Sequence, residues 1–75
     1  MKTEKHDIAI HTGYIKLEAL LKYAGVTDTG GDAKQLILDG EASVNGQVCL
    51  QRGKKLYPGD RVGLRGLELT VTSKE

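Results

Sequence analysis

The spacing of apolar residues in the first half of the chain predicts two short amphipathic helices. Between Tyr14 and Val26, apolar residues recur at i, i+3, i+4 and i+7, the repeat that places side chains on one face of a helix. These residues are Leu17, Leu20, Leu21 and Ala24. Gly25 is expected to end the helix, because glycine adopts the left-handed cap conformation without a Cβ clash. Thr12 is a candidate N-cap, whereas Lys16 is not a capping residue type.

The second predicted helix lies within residues 29–40 and repeats this apolar spacing. Its apolar face is formed by Ala33, Leu36 and Ile37. Gly40 is expected to end it, and Asp32 near its start complements the positive end of the helix dipole. Asp28 and Thr29 are both candidate N-caps. Because each helix carries one apolar stripe, the two are expected to pack against each other and against a further layer.

The second half of the chain predicts that further layer as strands. Asn45-Gly46 lies between two apolar runs and predicts a tight hairpin. Two registers remain open. A strict two-residue turn pairs Val44 with Gln47 and places Val48 on the opposite face, whereas a bulge would return both valines to one face.

A short strand is a candidate at residues 8–10. A second strand is predicted at residues 67–71, where inward apolar and outward polar side chains alternate. Pro58, Gly59 and Asp60 predict a turn ahead of a further strand. The order is strand, helix, helix and then several strands, which predicts an α+β fold.

Length and composition restrict the function classes. The 75 residues fit a single domain, residues 1–75, with an aliphatic core, because the chain has no Trp or Phe and only three Tyr. Such an interior leaves little room for a substrate pocket, which argues against an enzyme. The spacing of His6, His11 and Cys49 matches no metal-ligand pattern, and no motif indicates a cofactor. Since no apolar run is long enough for a signal peptide or a membrane span, a cytoplasmic protein is expected.

Positive charge is concentrated in the second half, although the net charge is only +1. Residues 1–45 carry five Lys and seven acids, a sum of −2, whereas residues 46–75 carry six cations and three acids, a sum of +3. Residues 51–65 hold five cations and one acid. Because salt screens each charge beyond about 8–10 Å, a polyanion at close range would meet this local cluster. A solvated basic loop without a ligand is an equally simple interpretation of charge alone.

The Gly30-Gly31 pair at the start of the second helix is a weaker candidate for anion binding. Its N–H groups, with Lys34 one turn later, could contact one backbone phosphate. The spacing of a nucleotide-binding loop is absent, and Asp32 would oppose a phosphate unless its side chain points away. The lack of Phe and Trp argues against a base-stacking platform on a sheet, so shape and charge are expected to dominate recognition.

Four short motifs resemble one RNA-binding family in their order and spacing. They are LLK at 20–22, GGDAK at 30–34, VNG at 44–46, and RGKKL followed by GD at 52–60. Together they resemble the RNA-binding domain named after small-subunit ribosomal protein S-four, most closely its small stand-alone bacterial branch of YaaA-like or YbcJ-like proteins. The resemblance covers roughly residues 14–64. It implies an α-L fold, in which two short helices pack on a small antiparallel sheet that the terminal strands extend.

The resemblance also implies which residues contact RNA. The RNA would lie along the helical face and the rim of the basic hairpin, with phosphates at Lys34, Arg52, Lys54 and Lys55. The candidate set is completed by Lys22, Arg61, Gly30 and Gly31. Many larger relatives have Ser-Arg in place of the Gly30-Gly31 pair, which shifts binding toward residues 52–55. Asn45 and Gly46 are expected only to shape the hairpin.

Within the basic stretch, strand alternation predicts that Lys54 and Lys55 point to opposite faces and contribute unequally. Gly53 and Gly59 are expected to let the backbone turn closely. The observations favour a non-catalytic, monomeric module that binds structured ribosomal or transfer RNA, with the ribosome or its precursor particles as candidate partners. The alternative is a protein-interaction or adaptor module that keeps the fold without binding RNA, motivated by the Gly30-Gly31 departure and the mildly acidic first half.

Overall fold

The fold is α+β, as the sequence predicts, with one short strand before the first helix that the sequence does not predict. A computed structural model describes residues 4–26 and 30–74. The helices are α1 (Leu17–Tyr23) and α2 (Gly30–Leu38). The strands in these ranges are β1 (Glu4–Ile10), β2 (Ile15–Lys16), β3 (Ala42–Val44), β4 (Gln47–Val48), β5 (Lys55–Leu56), β6 (Arg61–Leu64) and β7 (Leu67–Ser73).

Five strands form one sheet in the order β1-β7-β6-β3-β4, and β2 pairs with β5 in a separate two-stranded ribbon. Pairing is antiparallel as expected, except at one edge, where β1 runs parallel to β7 with Glu4 opposite Leu67. Both terminal strands are longer than the predicted 8–10 and 67–71. The first residues of β1 are charged and exposed at the sheet edge, so only its last three residues carry an apolar signal.

The two helices cover one face of the five-stranded sheet and bury an aliphatic core, as composition predicts. The helical members are Leu17, Leu20, Leu21, Ala33 and Ile37, and the main members from β6 and β7 are Val62, Leu64, Leu69 and Val71. Side chains alternate along a strand, so Arg61 and Gly63 of β6 point to the opposite, open face of the sheet.

Helix α1 begins without the side-chain cap that the sequence suggests at Thr12. The Thr12 hydroxyl donates to the carbonyl oxygen of Tyr14 at 2.6 Å, and Lys16 occupies the N-cap position with no side-chain hydrogen bond. The prediction of Thr12 as the cap is therefore wrong. A distant loop, residues 51–54, supplies the acceptors for the first helical N–H groups instead.

Both helices end at the glycines that the sequence predicts. Gly25 and Gly40 follow α1 and α2 with φ angles of 77° and 78°. The N–H group of the residue after each glycine donates to a carbonyl oxygen of the preceding helix, at 3.0 and 3.2 Å respectively. These bonds satisfy carbonyl groups that a helix end leaves without a partner. The candidate N-caps of α2, Asp28 and Thr29, lie outside the described residues.

The hairpin between β3 and β4 adopts the strict two-residue register. Val44 pairs with Gln47 across Asn45-Gly46, whose φ angles of 52° and 87° suit a type I′ turn. Val48 therefore lies on the opposite face from Val44 and is 64% exposed. No bulge returns the two valines to one face, so the hairpin has the strict two-residue register.

Candidate nucleic-acid interface

The loop of residues 51–54, which we call the basic loop, is fastened to the start of α1 by main-chain hydrogen bonds. The N–H groups of Leu17 and Glu18 donate to the carbonyl oxygens of Lys54 and Arg52, at 2.9 and 3.1 Å. The N–H group of Lys54 donates back to the first carbonyl of the loop at 3.2 Å and closes a turn. The same contacts therefore cap the helix and fix the backbone of two cationic residues.

The ribbon formed by β2 and β5 continues directly from the basic loop. Ile15 lies opposite Leu56, and Lys16 lies opposite Lys55. Leu56 is fully buried and Ile15 packs against the core, so alternation places the two lysines on the outer surface. Like charges directly opposite each other on paired strands are destabilising. An anion bound to both lysines would relieve that repulsion.

Two tyrosines extend the outer surface of the ribbon. The rings of Tyr14 and Tyr57 have centroids 6.1 Å apart and planes tilted by 52°. The ammonium nitrogen of Lys55 lies 4.9 Å from the centroid of the Tyr14 ring, within the range of a cation–π interaction. We call this surface the ribbon face and define it as Tyr14, Lys16, Lys55 and Tyr57.

Lys54 and Lys55 border different surfaces, although only Lys55 belongs to β5 and Lys54 lies in the basic loop. Lys54 lines a groove beside the β3–β4 hairpin together with Gln47 and Gln51. Lys55 instead lies over the Tyr14 ring on the ribbon face. The two lysines could therefore contact different phosphates of one strand.

Lys22 and Lys34 lie on the exposed sides of the two helices. Lys22 follows Glu18 by one turn of α1, so about 5–6 Å separates it from the residue whose N–H group binds the Arg52 carbonyl oxygen. Lys34 lies on α2, which packs against α1. Lys22 thus lies one helical turn beyond the residue that bonds to the basic loop, and Lys34 lies on the adjoining helix.

The start of α2 has its acidic and basic side chains on different flanks. Gly30 and Gly31 have helical backbone conformation. Asp32 and Lys34 are two residues apart, which separates them by about 200° around the helix axis. Asp32 and Lys34 therefore lie on different flanks of α2.

Arg61 lies apart from the other candidate cations. Its neighbour Val62 is buried under the helices, so Arg61 occupies the open face of the sheet, where it lines a shallow depression with Ser43, Gly63 and Glu68. The sheet therefore separates Arg61 from Lys34 on α2.

The turn after β5 fixes the backbone of Tyr57. The Tyr57 carbonyl oxygen accepts the N–H group of Asp60 at 2.9 Å, and the Tyr57 N–H group donates to the Asp60 carboxylate at 2.8 Å. Gly59 has a φ of 101°, the left-handed value that a type II turn requires after Pro58. Gly53 has no left-handed φ, and a Cβ there would meet nothing within 4 Å, so the expectation that Gly53 is needed for a close turn is wrong.

Asn45 joins this turn to the β3–β4 hairpin. Its Oδ1 accepts the N–H group of Arg61 at 3.0 Å, and its Nδ2 donates to the Asp60 carboxylate at 3.2 Å. Asn45 therefore has a structural role, as the sequence indicates. Its contacts connect the β3–β4 hairpin to the turn that carries Tyr57.

Arg65 belongs to the basic stretch in sequence but is engaged by an acid. Its Nε and Nη2 donate to the two carboxylate oxygens of Glu41 at 2.7 and 2.8 Å. Hydrogen bonding from the guanidinium holds the pKa of the Glu41 carboxyl below its ordinary value. The charge of Arg65 is thus balanced locally.

The cations of the basic loop and the ribbon face have no such partner among the described acids. Within residues 4–26 and 30–74, ion pairs are formed by Lys5 and Arg65, and Nε2 of His6 lies 3.6 Å from a carboxylate oxygen of Glu4. The cations without an ion pair in those ranges include Lys16, Arg52, Lys54 and Lys55. Uncompensated charge on adjoining segments is the arrangement that binds backbone phosphates and releases their counterions.

Neither a metal site nor a membrane span is evident in the part of the chain that the structure describes. No group of three or more His, Cys, Asp or Glu side chains there could hold a metal ion. Neither described helix has the length and apolarity needed to cross a bilayer.

The sequence does not indicate three members of the ribbon face as RNA contacts. These are Tyr14, Lys16 and Tyr57. The signal that would identify them is the pairing of β2 with β5, which joins segments far apart in the chain. Although the lack of Phe and Trp argues against an aromatic platform, two of the three tyrosines meet on this ribbon and are 40% and 51% exposed.

A family model and a bacterial protein each match most of this chain. A family model described as "S4 domain" matches residues 8–72. A Bacillus subtilis (strain 168) protein, "Probable ribosome maturation protein RlbA", is 42% identical over 59 residues, which cover 79% of this chain and 83% of that protein. The matched region includes both helices and the whole ribbon.

Proposed function

The chain belongs to the S4 domain family, and we propose on that basis that it is a non-catalytic module that binds structured RNA through the basic loop and the ribbon face. The observation that carries this proposal is a set of cations without ion pairs among the described acids, held next to the start of α1 by main-chain hydrogen bonds. Positioned cations bind a phosphate backbone at a lower entropic cost than cations on a freely moving loop.

The phosphate contacts are assigned first to Lys16, Arg52, Lys54 and Lys55. Lys22 and Lys34 extend the same path along the helices, and the N–H groups of Gly30 and Gly31 are available to it at the start of α2. Arg61 lies on the open face of the sheet, so we expect it to contribute least among the candidates.

Ribosomal RNA within a precursor particle is the target we propose. The name of the Bacillus relative concerns ribosome maturation, which supports ribosomal RNA over transfer RNA. We further propose that the protein acts in the cytoplasm as a monomer, because ribosome precursors are assembled there in bacteria and the basic surface requires no second copy.

The salt dependence of RNA binding tests this function. With about four phosphate contacts, the logarithm of the affinity for a folded ribosomal RNA fragment should fall with the logarithm of salt concentration at a slope between about −3 and −4. The slope can be measured by fluorescence anisotropy between 50 and 300 mM KCl, with a folded transfer RNA measured in parallel. A flat response, or no binding to either RNA, would reject the proposal and favour the adaptor alternative.

A further inference from the structure

We propose that Tyr57, supported by Tyr14, is a stacking site for one unpaired base of the bound RNA. The inference rests on the proposed RNA-binding function and deepens it, because it names the feature of the RNA that the ribbon face selects. Phosphate contacts alone make no distinction between a regular duplex and a duplex interrupted by an unpaired nucleotide.

The geometry of the two rings favours stacking on Tyr57. The Tyr14 ring is already contacted by the Lys55 ammonium at 4.9 Å and by the Tyr57 ring at a centroid distance of 6.1 Å. The 52° tilt leaves no parallel slot between the rings, so a base cannot insert between them. Tyr57 is 51% exposed and Tyr14 40%, and the Lys55 ammonium lies over the Tyr14 ring, so Tyr57 offers more free surface to a base. Stacking on an aromatic ring is a general way to hold a splayed base.

The position of Tyr57 is set before RNA arrives. On one side it follows β5, whose Leu56 is buried in the core, and on the other it opens the Pro58-Gly59 turn. Its main-chain carbonyl oxygen accepts the Asp60 N–H group at 2.9 Å, and its N–H group donates to the Asp60 carboxylate at 2.8 Å. Because the main chain is already ordered, only the side-chain rotamer of Tyr57 has to be ordered when a base stacks on it.

Charge next to the rings matches the chemistry of a splayed nucleotide. Lys16 and Lys55 share the ribbon face with the tyrosines, and neither forms an ion pair with a described acid. The phosphates on the two sides of an unpaired nucleotide would lie close to these lysines while the base contacts the ring. The lysines would therefore bind the phosphates, and Tyr57 the base, of the same nucleotide.

The test compares two RNA hairpins that differ only in one unpaired adenosine bulged from the stem. We expect the wild-type protein to bind the bulged hairpin more tightly than the fully paired one. Tyr57→Leu should weaken binding to the bulged hairpin by about 5- to 150-fold, the range for loss of one base–aromatic stack, and change binding to the paired hairpin by less than about twofold. Tyr57→Phe should retain the preference, because it retains the ring.

The chain offers a matched control in Tyr23, which is 68% exposed on α1 and lies outside the ribbon face. Tyr23→Leu should change neither affinity. If Tyr57→Leu leaves the ratio of the two affinities unchanged, the stacking site is rejected while RNA binding stands. If the wild-type protein binds neither hairpin, both the proposed function and the stacking site are rejected.

A second measurement gives its deciding result with the wild-type protein, so that result does not depend on the stability of a variant. Replacing the bulged adenosine with 2-aminopurine gives a base whose fluorescence is quenched by stacking. Saturating wild-type protein should quench that fluorescence, and Tyr57→Phe should quench it equally. Unchanged or increased fluorescence at saturation would overturn the proposal.

Discussion

Reversing the charge of Lys54 and Lys55 together is expected to weaken binding to a folded ribosomal RNA fragment by about 100-fold or more. Two of about four phosphate contacts are lost, and two repulsive charges take their place within the screening distance of about 8–10 Å. The two single variants should differ in effect, because Lys54 lines the groove beside the β3–β4 hairpin while Lys55 lies on the ribbon face. Fluorescence anisotropy at constant salt gives the three dissociation constants.

The double variant should remain folded. The contact that Lys54 makes with α1 uses its main-chain carbonyl oxygen, which the substitution leaves in place. At position 55, glutamate gives up the contact with Tyr14 but converts the repulsion with Lys16 into attraction. Circular dichroism should show an unchanged spectrum and a melting temperature close to that of the wild type.

The matched control for the single variant Lys55→Glu is Lys5→Glu, which makes the same change in net charge on β1, at the edge of the sheet. Because salt screens distant charges, this control should weaken binding by less than about threefold. Equal losses in this control and in Lys55→Glu would show that net charge, and not the position of the lysine on the ribbon, governs the affinity.

Replacing Leu56 with alanine is expected to lower the free energy of unfolding by about 2–5 kcal/mol, the range for truncation of a buried leucine. Leu56 has no exposed surface and is the residue that anchors β5 in the core. A chain of 75 residues has a total stability of about 4–11 kcal/mol, so much of it would be lost. Urea denaturation followed by circular dichroism measures the change.

Leu50→Ala is the control for that substitution, since Leu50 is the same residue type and is 56% exposed. It should change the free energy of unfolding by less than about 1 kcal/mol, because little apolar surface is withdrawn from water at that position. A loss of less than 1 kcal/mol for Leu56→Ala would mean that the ribbon is not anchored through this side chain.

Sequence alone predicted the features of the fold that depend on local spacing. The leucine stripe of α1 and the glycines that end both helices are local signals, and each lies where expected. The start of α1 was missed because its N–H groups bond to carbonyl oxygens more than 30 residues later in the chain, at Arg52 and Lys54. A cap supplied by a distant main chain leaves no trace in the residue types around Lys16.

Only the part of the candidate site that depends on local sequence was predicted. The basic loop was visible as a local run of charge, whereas the ribbon face exists only because β2 pairs with β5. Tyr14 and Tyr57 look like isolated exposed aromatic residues until that register is known. Arg61 shows the opposite case, since its sequence position beside the basic stretch does not place it on the same surface.

We expect one RNA strand to follow the basic loop, the ribbon face and the exposed flank of α2. Titration of the ¹⁵N-labelled protein with the bulged RNA hairpin, monitored through its amide resonances, tests this most directly. The largest shifts should occur at Lys16, Arg52, Lys55 and Tyr57, with smaller ones at Lys34. Ser43, Gly63 and Glu68 on the open face should not shift. Shifts concentrated on those three residues, with the basic loop and ribbon unchanged, would contradict the account.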